Sequence, residues 1–156
     1  MTMNNTTDAP TAHHYKKASV AHFGPLQNWS ATRIPLAQTE KVYPGKTWVK
    51  DIMKLTGAEL SLSSLPAGAS VPYEHKHEQN EELYIFLSGE GQMKVDDAII
   101  EVKEGSLVRV DPSAVRCWRN TGTADLVHIV LQTKADSLEQ WTSVDGTITH
   151  HEPNWE

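Results

Sequence analysis

Between residues 58 and 134 the apolar residues come in short blocks, alternating or continuous, and each block is closed by a turn signal. AELSLSSL (58–65) sets Leu60 and Leu62 against the Ser63-Ser64 pair and predicts a strand with one wet face, ended by Pro66-Ala67-Gly68. LYIFLS (83–88) is too rich in β-branched and aromatic residues for a loop. GQMKVDDAIIEV (91–102) reads as a hairpin about Asp96-Asp97, where Asp tolerates a positive φ. SLVRV, VRCWRN and DLVHIVLQT follow as strands, separated by Asp111-Pro112-Ser113 and Thr121-Gly122-Thr123, and the last of them is apolar enough to be buried on both faces. Turn spacings of about 8 to 12 residues predict an all-β sandwich or barrel.

The flanks read differently. Residues 1–20 are polar and without period, as in a disordered or loosely docked tail. From Phe23 to Lys46, Gly24, Pro25, Pro35, Pro44 and Gly45 forbid a long helix and leave a lead-in with short edge strands, and TWVKDIMKL (47–55) alternates imperfectly. Only ADSLEQW (135–141) has helical character. The expected organisation is a tail (1–20), a barrel with its lead-in (21–134) and a C-terminal extension (135–156).

With 156 residues the chain suits one domain that buries roughly two-thirds of its unfolded surface. The single cysteine, Cys117, excludes an intramolecular disulfide, and MTMNNTTDAPTAHHYKK lacks the apolar core of a secretory leader. Both point to a reducing, cytoplasmic setting. No run approaches the ~18 apolar residues of a membrane span. A net charge of −6 opposes a nucleic-acid backbone. The expected partner is therefore a small molecule, with no nucleic acid and no membrane.

Candidate chemistry gathers in GASVPYEHKHEQNEELYIFLSGEG (68–91). On a strand, His75 and His77 leave the same face. Glu81 and Glu82 open the next strand, and with Glu82 inward, parity adds Tyr84 and Phe86 to its face. His128, inside an apolar run, reads as a buried histidine with a hydrogen-bond partner. The adjacent pairs His13-His14 and His150-His151 lack the fixed geometry of a metal site. No nucleophile elbow, phosphate loop or dinucleotide fingerprint is present.

This stretch resembles the first motif of the cupin superfamily, G-x5-H-x-H-x3,4-E-x6-G. His75, His77, Glu82 and Gly89 fit it, and Gly68 lies one residue too far upstream. Only Glu82, not Glu81, leaves six residues before Gly89. GSLVRVDPSAVRCWRN resembles the second motif, G-x5-P-x-G-x2-H-x3-N, at Gly105 and Asn120, but Asp111, Ser113 and Arg116 stand where Pro, Gly and His are expected. The resemblance, to the small conserved-barrel cupins, implies a double-stranded β-helix (a jelly-roll barrel) as a single domain with flanking arms, commonly a homodimer. It also implies a divalent first-row metal, Mn, Fe, Ni or Zn, on His75, His77 and Glu82.

Arg116 complicates that site. At about 5 Å from a divalent ion, with an effective dielectric near 20, a guanidinium repels it by roughly 7 kcal/mol before compensation. Three arrangements stay open. Arg116 turns from the ion and holds a substrate carboxylate, with Tyr84 and Trp118 walling the pocket. Alternatively it pairs with Glu82 and replaces the metal. In the third, the register shifts by one and Cys117 becomes the ligand. The function these imply is a metal-dependent cupin acting on a small anionic metabolite, by dioxygenase-, isomerase- or decarboxylase-type chemistry. The alternative is a metal-free cupin that binds a small molecule through Arg116 without converting it.

Overall fold

The structure, a computed structural model, describes residues 10–35 and 41–155, so the tail expected over 1–20 lies outside the described residues as far as residue 9. Ten strands follow in chain order: β1 (His13–His14), β2 (Ser19–Val20), β3 (Lys46–Trp48), β4 (Glu59–Leu65), β5 (Asn80–Ser88), β6 (Glu90–Val95), β7 (Ala98–Lys103), β8 (Leu107–Val110), β9 (Arg116–Asn120) and β10 (Leu126–Lys134). The first two form a small ribbon. The rest build a five-stranded sheet, β3-β4-β10-β5-β8, and a three-stranded sheet, β7-β6-β9, antiparallel throughout. Tyr84, Phe86, Val110, Leu126 and Val130 of the larger sheet meet Met93, Val102 and Trp118 of the smaller one in the apolar core. The architecture is the all-β jelly roll expected from the sequence.

The β6–β7 hairpin turns at Asp96-Asp97, with Asp96 at φ 49°. Between β5 and β6, Gly89 has φ 82°, and a Cβ there would collide with the backbone of Asp125 and Leu126. Only a glycine allows β5 to pass so close to the start of β10.

Four local expectations are corrected. The histidine stretch is not a continuous strand: residues 71–79 are in none, although Ser70 and His75 make single bridges to Arg119 and Arg116 of β9. Pro72 has no N–H to give a ladder. The helix expected over 135–141 is absent. Asp136 takes φ 58° and turns the chain off β10, and the one helical turn there, α2, is Thr142–Asp145. In β4 the serine face points inward: Ser61 and Ser63 are buried while Leu60 and Leu62 are only half-buried. Finally, β10 is buried on both faces only over Leu126–His128. The imperfect alternation after Thr47 also has a cause, because β3 gives way at once to the single helical turn α1, Lys50–Met53. Among the described residues, no helix is long and apolar enough to cross a membrane.

Candidate functional site

Two strands and one extended segment bring the site together. His75 exchanges both backbone hydrogen bonds with Arg116, at 3.1 and 2.9 Å, and the His77 N–H donates to the Pro112 carbonyl at 2.9 Å. These bonds hold His75 against β9 and His77 against the turn that precedes it. Glu82, near the start of β5, lies between Gln132 of β10 and Val110 of β8, and its side chain turns inward, where the residue is only 5% exposed. One ligand atom from each of His75, His77 and Glu82 falls within 4.8 Å of the others. Metal–nitrogen and metal–oxygen bonds of about 2.0–2.2 Å put donors roughly 3 to 4 Å apart, so the spacing suits a shared ion.

The Glu82 carboxylate is divided between two tasks. Its Oε2 accepts from Tyr84 Oη at 2.7 Å and from Arg116 Nε at 2.9 Å. Its Oε1 faces His77 Nε2 at 3.1 Å, without the alignment of a hydrogen bond, so this buried nitrogen has no hydrogen-bond partner. His75 Nε2 stands 3.8 Å from Oε2, beyond hydrogen-bond distance. Burial alone would raise the Glu82 pKa. His75, Tyr84, Arg116 and His77 outweigh it and hold the carboxyl well below the usual range, so it is ionised. Burial, and then the Glu82 charge, push the Tyr84 phenol far up, which leaves it a neutral donor. An ionised carboxylate oxygen beside two imidazole nitrogens, one buried without a hydrogen bond, is a donor set that fits a divalent first-row ion.

A cupin domain model (Cupin_2) matches residues 61–131, which include all of this site. A cupin protein from Bacteroides fragilis is 40% identical, with a TM-score of 0.64, over 66% of this chain and 87% of that one. The chain is a cupin. At 19% identity and a TM-score of 0.52, a Cupin 2 conserved barrel domain protein from Salinispora arenicola shares the fold over 58% of this chain and 75% of its own. An uncharacterized protein of Methanocaldococcus jannaschii is 32% identical over 76 residues, 49% of this chain and 60% of that relative's length.

In this cupin Arg116 is fully buried and inward, and its donors are largely committed. Besides Glu82, it gives Nη1 to the carbonyls of Pro112 and Ala114, at 3.2 and 2.7 Å, and only Nη2 lacks a partner. A two-pronged grip on a substrate carboxylate is therefore not available to it. Trp118 shares the inner face of β9, with its ring 5.1 Å from Tyr84 and 6.3 Å from His75. Cys117 alternates to the other face, in a groove with Gln92, Lys94 and Arg119, and is not part of the His–Glu group. Glu81 pairs with Arg109 at 2.6 Å, away from the site. Asn120 gives Nδ2 to the Leu65 and Ala124 carbonyls and accepts from the Gly122 N–H, so it ties β9 to the loop that follows it.

A cavity of about 250 Å³ is bordered by Trp118, His128, Ser63 and Lys46, and Trp118 links it to His75 of the His–Glu group. Sequence reasoning missed the two polar residues from β3 and β4. Lys46 ends the expected lead-in and Ser63 belongs to a face expected to be wet, and the sequence does not say that β3 and β4 present both to the barrel interior.

Proposed function

We propose that this cupin binds a divalent first-row metal through His75, His77 and Glu82 and acts on a small anionic metabolite in the adjoining cavity. The observation that carries the reading is the divided Glu82 carboxylate: Arg116 and Tyr84 fix Oε2, while Oε1 is left beside the unbonded His77 Nε2. Arg116 is thus a positioning residue. It neutralises part of the Glu82 charge, and in doing so weakens the site relative to one with a neutral fourth residue. A bound Mn, Fe, Ni or Zn ion supplies Lewis acidity there. Tyr84 keeps its proton and orients the carboxylate, and Trp118 restricts the space beside the histidines.

A metal-free binding protein is the second reading, favoured by one observation: the buried Arg116–Glu82 pair already compensates the carboxylate. Elemental analysis of protein purified without chelator separates them. The metal reading expects near-stoichiometric metal, lost in a folded His77→Ala variant and bound more tightly in Arg116→His. A parent that carries no metal and takes up none of Mn, Fe, Ni or Zn on addition refutes it.

A further inference from the structure

The five-stranded sheet presents an inward row that the metal group does not use. Lys46 of β3 lies opposite Ser63 of β4, and Ser63 opposite His128 of β10. Directly opposed residues of antiparallel strands share a face, with Cβ atoms about 4.5–5.5 Å apart. The three side chains therefore stand abreast. His128 in turn lies opposite Phe86 of the apolar core, which identifies the face as the inner one. Trp118 closes the row from the other sheet, with its ring 5.5 Å from the His128 imidazole and its centroid 5.8 Å from Lys46 Nζ. All four side chains border the 250 Å³ cavity, whose volume equals that of roughly eight waters. That suits a small acid rather than a drug-sized ligand, whose pockets run to about 300–1,000 Å³.

Three buried polar atoms in this row have no protein partner: Ser63 Oγ, Trp118 Nε1 and His128 Nε2. Folded proteins leave few such atoms, and three around one cavity point to a ligand. Their chemistry defines it. The Leu126 carbonyl, 3.3 Å from His128 Nδ1, can only accept, so Nδ1 carries the proton and Nε2 offers a lone pair. Burial, and then the Lys46 charge, lower the His128 pKa to about 3, so the ring stays neutral. Trp118 Nε1–H can only donate, and Ser63 Oγ does either. Lys46 Nζ makes no ion pair or hydrogen bond among the described residues and lies over the Trp48 ring, 5.1 Å from its centroid. Burial pulls its pKa down, and Glu82 and Glu59 act on it only through their charges.

The ligand must therefore bring a negative charge and acceptor oxygens for Lys46 and Trp118, together with a hydrogen for His128. We infer that the cavity binds a small hydroxycarboxylate, its carboxylate on Lys46 Nζ and Trp118 Nε1 and its hydroxyl donating to His128 Nε2, with Ser63 between them. This rests on the proposed function for the anionic character of the metabolite, and it deepens that reading by naming the class and assigning the counter-charge to Lys46 instead of Arg116. An amino acid is disfavoured, because its ammonium would face Lys46.

Titration calorimetry of the chelator-treated full chain at pH 7.5 tests this with three probes of similar size: lactate, propionate without the hydroxyl, and lactamide without the charge. Lactate is expected to bind at least tenfold more tightly than either of the others. Lys46→Met and Trp118→Phe are each expected to lose at least tenfold in lactate affinity, and Glu81→Gln, away from the site, to stay within about twofold. The inference is overturned if the parent does not prefer lactate, if Lys46→Met binds it unchanged, or if binding requires added metal. Metal uptake measured on the same samples separates the two claims. Metal uptake without a lactate preference sinks this inference alone, and Lys46-dependent lactate binding without metal uptake supports it while sinking the metal reading.

Discussion

The buried His128 imidazole is expected to make this protein less stable in mild acid. Its imidazole is 1% exposed, and the residues packed on it are Lys46, Ser63, Phe86 and Trp118, of which Lys46 alone is charged. Burial and that cation depress its pKa from 6.5 to about 3 in the folded state. Between those values the unfolded chain binds a proton that the folded chain refuses, so stability falls as pH falls through the window. Above about 6.5 the effect vanishes. At pH 5, some 1.5 units below the unfolded pKa, the loss is about 2 kcal/mol, since each unit is worth about 1.4 kcal/mol. This figure is insensitive to the exact folded pKa as long as that lies below about 4.

For a domain of this size, about 2 kcal/mol corresponds to roughly 4–8 °C in Tm. The measurement is urea denaturation of the chelated protein at pH 7.5, 6.5, 5.5 and 5.0, in buffers without carboxylates, for the parent and His128→Phe. Phenylalanine keeps a planar ring in the row and removes the titration. The two proteins should differ in pH dependence by about 2 kcal/mol between pH 7.5 and 5.0, with the parent falling faster. Parallel curves, or an imidazole titrating near 6.5 by NMR in the folded parent, would refute the reasoning.

Glu82→Gln is expected to cost about 3–5 kcal/mol, because it leaves the Arg116 guanidinium buried without a counter-charge, and Glu82→Gln/Arg116→Met should recover most of that loss in the same urea assay. The Glu82 carboxyl itself adds acid sensitivity in a lower range than His128. Its folded pKa is depressed, so its contribution is present above about 4.5 and is lost as pH falls further. Asn120→Ala removes the hydrogen bonds to Leu65, Ala124 and Gly122 and is expected to cost about 2–4 kcal/mol, read as a fall in Tm.

Much of the fold is legible in the sequence because a strand states its own parity. The blocks around Tyr84, Met93, Val102, Trp118 and Val130 each place alternate residues inward, and two-sheet packing then follows from the need to bury those faces. The inward set of Glu82, Tyr84, Arg116 and Trp118 can be read in the same way. Parity does not reach the histidines, since Pro72 interrupts any ladder there and only pairing with β9 aims His75. Parity within a strand is also silent about neighbours. Lys46, Ser63 and His128 come from three separate strands, and only the order β3-β4-β10 makes them one row.

That row also bears on the arginine at the fourth cupin position. A guanidinium left free beside the histidines would repel an ion, but Arg116 is tied on one side to Glu82 and on the other to the carbonyls of Pro112 and Ala114. Its charge is balanced by the carboxylate it orients, and its hydrogen-bonding capacity is nearly exhausted. An incoming anion therefore gains little from it. Lys46 has no ion pair of its own among the described residues and borders the open space where Arg116 does not. On the proposed reading the two cations divide the labour: Arg116 aims the Glu82 carboxylate, and Lys46 remains to receive the anion.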